Sequence, residues 1–155
     1  MDNTNIRYQD TQMFKILSFP LLFVFIFLVL SYHYQWGDNP IPLLATVLTS
    51  SVLFIVWLLF YKLTITIDDK SITASFGIGV IKKALQIENI NISSIEKIKT
   101  PWYYGIGLRI TPHGILYNTK TGFAIKLTSS KNAKSVLIGT SEYEKIKTIL
   151  TELKQ

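Results

Sequence analysis

Two uncharged apolar runs, residues 16–34 and 41–61, follow one another near the start of the chain and limit what the rest can fold beside. Each is about 20 residues long, which at 1.5 Å of helical rise per residue matches a hydrocarbon core roughly 30 Å thick. A helix packed in a water-soluble domain keeps a polar stripe toward solvent, and Leu21, Leu22, Phe23, Val24, Phe25, Ile26, Phe27, Leu28, Val29 and Leu30 leave room for none. The second run is broken only by Thr46, Thr49, Ser50 and Ser51, whose hydroxyls can return a hydrogen bond to the preceding turn of their own helix. Two membrane-spanning helices are therefore expected. Pro20, Pro40 and Pro42 fit helix beginnings, where a missing N–H costs little.

A cleaved signal peptide would explain the first run, but the leader ahead of it is not basic and no small-x-small cleavage site follows it. The connection from Gln35 to Pro40 is short and rich in turn residues, so the spans form an antiparallel hairpin with both termini on one side. Arg7 and Lys15 precede the first span and Lys62 and Lys70 follow the second, while the connection carries neither Lys nor Arg. By the positive-inside rule the termini are expected to be cytoplasmic. Tyr32, His33, Tyr34 and Trp36 would mark the outer interface and Trp57 and Tyr61 the inner one.

Residues 1–61 thus read as a tail and a two-helix anchor, and residues 62–155 as one small domain. That domain holds every basic residue except Arg7 and Lys15, 14 against seven acids, and at a net +7 accounts for the positive balance of the whole chain, +6. Such a domain suits an anionic leaflet, although evenly spread lysines also serve a solvated face. With no cysteine, disulfides, thiolate metal sites and thiol nucleophiles are excluded.

After the second run the periodicity becomes alternating, the mark of strands with one buried face. Leu63, Ile65 and Ile67 alternate with polar residues, Asp68, Asp69 and Lys70 turn the chain, and Ile72, Ala74 and Phe76 follow as the second half of a hairpin. Ile81, Lys83, Leu85 and Ile87 share a face. Further strands are expected around Ile95–Lys99, Ile106–Ile110, Ile115–Tyr117, Phe123–Leu127 and Val136–Ile138, as a meander. Tyr143, Ile146, Ile149, Leu150 and Leu153 then fall on one helical stripe, with Ser141 and Glu144 at capping-box spacing.

Chemistry finds little footing, and no catalytic, cofactor or metal residue is assigned. His33 and His113 stand too far apart to share a metal. Gly77–Ile78–Gly79 lacks a third glycine and opens no helix, Asp68 and Asp69 diverge at a turn, and Ser129 and Lys131 lie in a polar loop. No nucleic-acid recognition motif appears.

Phe76–Gly77–Ile78–Gly79, the stretch Pro101–Trp102–Tyr103–Tyr104–Gly105–Ile106–Gly107–Leu108–Arg109–Ile110, Gly114–Ile115–Leu116–Tyr117–Asn118 and Ile138–Gly139–Thr140 carry a resemblance over residues 61–153. With the apolar hairpin in front, the chain resembles the bacterial membrane-anchored pleckstrin-homology-like domains. The resemblance implies a barrel of about seven antiparallel strands capped by a C-terminal helix, with a non-enzymatic binding or scaffolding role. The phosphoinositide pattern of eukaryotic members is absent, because Asp68 and Asp69 put acid where a basic cluster would lie. The expected partner is the anionic lipid surface or another membrane protein, through Lys82, Lys97, Lys99, Trp102, Tyr103 and Arg109. Trp102 is expected to pack at the barrel mouth, and Arg109 to point away from Leu108 and Ile110 toward a carboxylate or a lipid phosphate. The rival from another class is an accessory subunit of a membrane enzyme or transporter.

Overall fold

The computed structural model describes residues 5–131 and 134–154. The chain opens on a strand, β1 (Ile6–Met13), and passes directly into α1 (Lys15–His33) and then α2 (Leu43–Phe60). Both helices are long and apolar enough to cross a membrane, and their large side chains are mostly exposed. Ser31 and Thr46 are buried, and the Thr46 and Ser51 hydroxyls donate to the carbonyls of Pro42 and Val47 four residues back. Pro42 caps α2 as expected, but Pro20 lies inside α1, where its ring leaves one carbonyl of the preceding turn without an intrahelical partner. At the far end of the hairpin Tyr34 stacks on Trp36 and meets His33 edge-on, and Trp36 meets Phe27 edge-on at 5.6 Å.

β2 (Lys62–Asp68) begins two residues after α2 ends and turns through Asp68 into β3 (Ser71–Phe76), followed by β4 (Ile81–Gln86). Asp68 shapes that turn by accepting from the amides of Lys70 and Ser71 and from the Ser71 hydroxyl. The leader before the first apolar run, read from sequence as a tail, is β1, paired antiparallel with β2 from Ile6↔Asp68 to Met13↔Lys62. The helical hairpin is thus inserted into the loop of a β-hairpin, and the outer ends of α1 and α2 emerge together.

The remaining strands are β5 (Glu96–Thr100), β6 (Gly107–Thr111), β7 (Gly114–Asn118), β8 (Gly122–Thr128) and β9 (Ser135–Gly139), closed by α3 (Tyr143–Glu152). A single antiparallel barrel does not form. The strands make two sheets, a four-stranded one ordered β1-β2-β3-β4 and a five-stranded one ordered β5-β8-β9-β7-β6. The expected meander is broken because β9 inserts between β8 and β7, antiparallel to the first and parallel to the second. Alternation assigns faces but not neighbours, so that crossover has no signature in the pattern.

The apolar faces of both sheets meet in one core, which includes Tyr8, Leu63, Ile65, Ile67, Phe76, Tyr117, Ile125, Leu127 and Ile138. α3 adds Tyr143, Ile146 and Leu150 from the stripe read in the sequence. The capping box is absent. Ser141 is exposed, and the amide of Glu142 donates instead to the Thr140 hydroxyl at 3.0 Å. A smaller cluster of Leu116, Ala124 and Leu137, flanked by Ile98 and Tyr104, lies on the outer face of the five-stranded sheet.

Candidate functional site

The end of the domain that meets α1 and α2 is built as a joint with no linker. The Phe14 amide donates to the Tyr61 carbonyl at 2.8 Å, so the β1–β2 ladder continues to the helix ends. The Gly77 amide donates to Lys62, and the Ile78 amide reaches into α2 to donate to Leu58 at 3.2 Å. Phe14 is buried, with its ring 6.4 Å from Phe76, whose ring lies 5.6 Å from Phe60 and 5.8 Å from Tyr117. This aromatic column joins the last turn of α2 to the cores of both sheets.

The six residues singled out from sequence are spread over three strands and one turn. Lys82 lies on β4 opposite Ser75, one residue from the Ile81↔Phe76 pair at the joint, and it is exposed. Lys97 and Lys99 lie on β5, the outer strand of the five-stranded sheet, where the Lys97 ammonium sits 4.7 Å from the Phe123 ring and 5.8 Å from the Tyr143 ring. Arg109 lies on β6 at the opposite edge. Four strand spacings of about 4.8 Å put it on the order of 19 Å from the β5 lysines, so the cations form no single patch.

Trp102 and Tyr103 bridge the two edges. The chain crosses from β5 to β6 through a short 3-10 turn, Trp102–Tyr104, seated by Asn118, whose side-chain amide donates to the Gly105 carbonyl at 3.2 Å. Tyr104 faces the sheet and packs on the outer cluster. Trp102 is 82 % exposed and Tyr103 68 %, which corrects the expectation that Trp102 packs. The geometry explains it. A 3-10 turn has three residues per repeat, so with Tyr104 inward its two predecessors point outward.

β6 also departs from its sequence reading. Leu108 and Ile110 are exposed, Ile110 at 91 %, and β6 is the last strand of its sheet. Arg109 folds back along its own strand, its Nε donating to the Ile106 carbonyl at 3.1 Å. Among the described residues no carboxylate pairs with it.

Two hollows flank this strand. One, of about 430 Å³, lies where the helices meet β6 and is lined by Phe14, Leu17, Val56, Phe60, Ile106 and Arg109, among others. The other, of about 350 Å³, runs between β4 and the β6–β7 hairpin, with Lys83, Leu85, Ile110, Ile115 and Val136 in its walls. Sequence reasoning put Lys83 on one face with Ile81 and Leu85 but did not single it out as a binding residue. In the structure the three share the inward face of β4.

Among the described residues no three His, Asp or Glu side chains come together as a metal site would require. The clear titration shifts belong to Tyr8 and Tyr117, both raised by burial, with Asp10 and Glu142 adding to the effect at Tyr8. Both phenols sit in the core and not in a cleft. No family model, curated protein or solved structure matches the chain.

Proposed function

We propose that this protein is a non-enzymatic, membrane-anchored binding module of pleckstrin-homology-like type. In this reading α1 and α2 cross a bacterial cytoplasmic membrane, and both termini and the β-domain are cytoplasmic. The domain engages the anionic lipid surface with the end nearest the helices. The observation that carries it is the joint: Lys62 follows α2 without a linker, and the amides of Gly77 and Ile78 fasten the domain to Lys62 and to the last turns of that helix. Held within a few ångströms of the headgroups, basic residues such as Lys82 lie inside a Debye length of roughly 8 Å, where each contributes about 1 kcal/mol toward anionic lipid. Trp102 and Tyr103, amphipathic and exposed, have the chemistry of interfacial anchors.

A chain with Trp102 as its sole tryptophan, through Trp36→Phe and Trp57→Phe, tests this in nanodiscs of neutral or anionic lipid. The Trp102 emission should shift to the blue and be quenched by brominated lipid, more so with anionic lipid and less at high salt. Water-like emission in both lipids would discard the lipid reading.

A second reading, another membrane protein as partner, is favoured by the open seam between the sheets. β4 and β6 each have a partner on one side only, and the groove between them is mostly apolar with Lys83 and Lys134 in its wall. Such edges accept an added strand.

A further inference from the structure

The turn between β3 and β4, residues 77–80, has a composition at odds with a turn in water. Exposed turns carry polar residues, yet here Ile78 is 61 % and Val80 67 % exposed, and the two stand between and beside glycines. The position of this turn supplies the reason. Its Ile78 amide bonds to the carbonyl of Leu58, one of the last four carbonyls of α2, which have no partner inside the helix, so the turn is docked on the final turn of the helix.

Gly77 makes the approach possible. A side chain there would begin 2.1 Å from the Leu58 carbonyl oxygen, and the backbone has φ +53°. Glycine's lack of a Cβ lets the turn lie flat against the helix backbone. Basic residues stand on both sides: Lys62, whose ammonium lies 5.2 Å from the Tyr61 ring, and Lys82 on β4. Apolar tips with lysines just behind them fit a lipid boundary, where the tips meet acyl chains and the ammonium groups reach back to phosphates.

We infer that Ile78 and Val80 insert into the boundary between headgroups and acyl chains, so that the domain grips the bilayer at a second point beside its own anchor. This inference rests on reading α1 and α2 as membrane spans. It fixes the orientation of the domain, because a body held at the turn as well as at the adjacent chain crossings cannot tilt about the line through those crossings.

The test uses the full chain, whose lack of cysteine allows single nitroxide labels at Ile78→Cys, Val80→Cys, Glu88→Cys and Phe23→Cys in a mixed phosphatidylcholine and phosphatidylglycerol nanodisc. Glu88 is exposed at the other end of the four-stranded sheet, and Phe23 lies in the middle of α1. The ratio of oxygen to water-soluble nickel-chelate accessibility should be high at positions 78 and 80, approaching that at 23 and well above that at 88. Water-like ratios at 78 and 80 with a lipid-like ratio at 23 would overturn the inference and leave the anchor intact. Labels at 78 and 80 shielded from both reagents would mean that protein covers the turn, and would also overturn it. A water-like ratio at 23 would overturn the anchor and the inference together.

Discussion

Gly77 is the residue on which the junction of helix and sheet depends. Gly77→Ala brings a methyl group against the Leu58 carbonyl and forces an L side chain into left-handed backbone. Strain of that kind costs on the order of 1–3 kcal/mol, so a clear fall in thermal stability is expected, and an unchanged melting temperature would show that the turn does not lie against α2. The start of α3 separates two hydroxyls that are adjacent in sequence. Thr140→Ala removes the acceptor of the Glu142 amide and should cost about 1 kcal/mol in a denaturant titration, whereas Ser141→Ala, which removes an exposed hydroxyl, should cost almost nothing.

Tyr8 and Tyr117 give a pH dependence. Each phenol is harder to ionise folded than unfolded, chiefly through burial. The stability this confers is complete below the ordinary tyrosine pKa of about 10 and is lost as pH rises toward the raised folded value. Denaturation at stepped pH above about 10 should therefore grow easier with pH, and Tyr8→Phe with Tyr117→Phe should flatten that slope. An unaltered slope in the double variant would assign the loss to other groups.

At the scale of elements, β1 changes what counts as the domain. Met13 and Lys62 are cross-strand partners, and Phe14 continues the ladder to Tyr61, so deleting the helices and joining Phe14 to Tyr61 through Asn-Gly should restore an ordinary two-residue hairpin. That shortened chain is expected to unfold cooperatively in the absence of detergent. A chain beginning at Lys62 would lose β1, uncover Leu63, Ile65 and Ile67 along one edge, and aggregate or melt broadly. Equal behaviour of the two chains would mean that β1 contributes nothing to the fold.

The same strand shows where sequence reasoning ran out. The two apolar helices, the hairpin turn and α3 were legible because each has a dense signal: unbroken apolarity, Asp68 followed by turn residues, and a 3.6-residue stripe from Tyr143 to Leu150. The segment from Ile6 to Met13 alternates only weakly, since Asp10 and Gln12 share the inward face with Tyr8. Those polar side chains are tolerated because Gln12 donates to Asp10 and to the Gly139 carbonyl, and accepts from Thr119. All but one of these partners are more than 100 residues away. Likewise the site residues were found as types but not as a patch: nothing in local spacing places β5 and β6 at opposite edges, or shows that Trp102 must point outward when Tyr104 points in.

For the whole molecule, insertion of the helical hairpin into a β-hairpin ties the topology together. Because β1 and β2 are hydrogen-bonded along their length, the outer ends of α1 and α2 stay on one side, and the connection between the helices lies at the other end. In the proposed topology the domain, the aromatic turn at Trp102 and the apolar turn at Ile78 lie on the cytoplasmic side, where the positive-inside rule puts Arg7, Lys15, Lys62 and Lys70. The most direct measurement is labelling of single cysteines at Asn39 and Glu88 by a membrane-impermeant maleimide on intact cells and again after permeabilisation. The account expects position 39 to label from outside and position 88 only after permeabilisation. Labelling of both from the same side would contradict a membrane-spanning hairpin, and with it the bilayer-held domain.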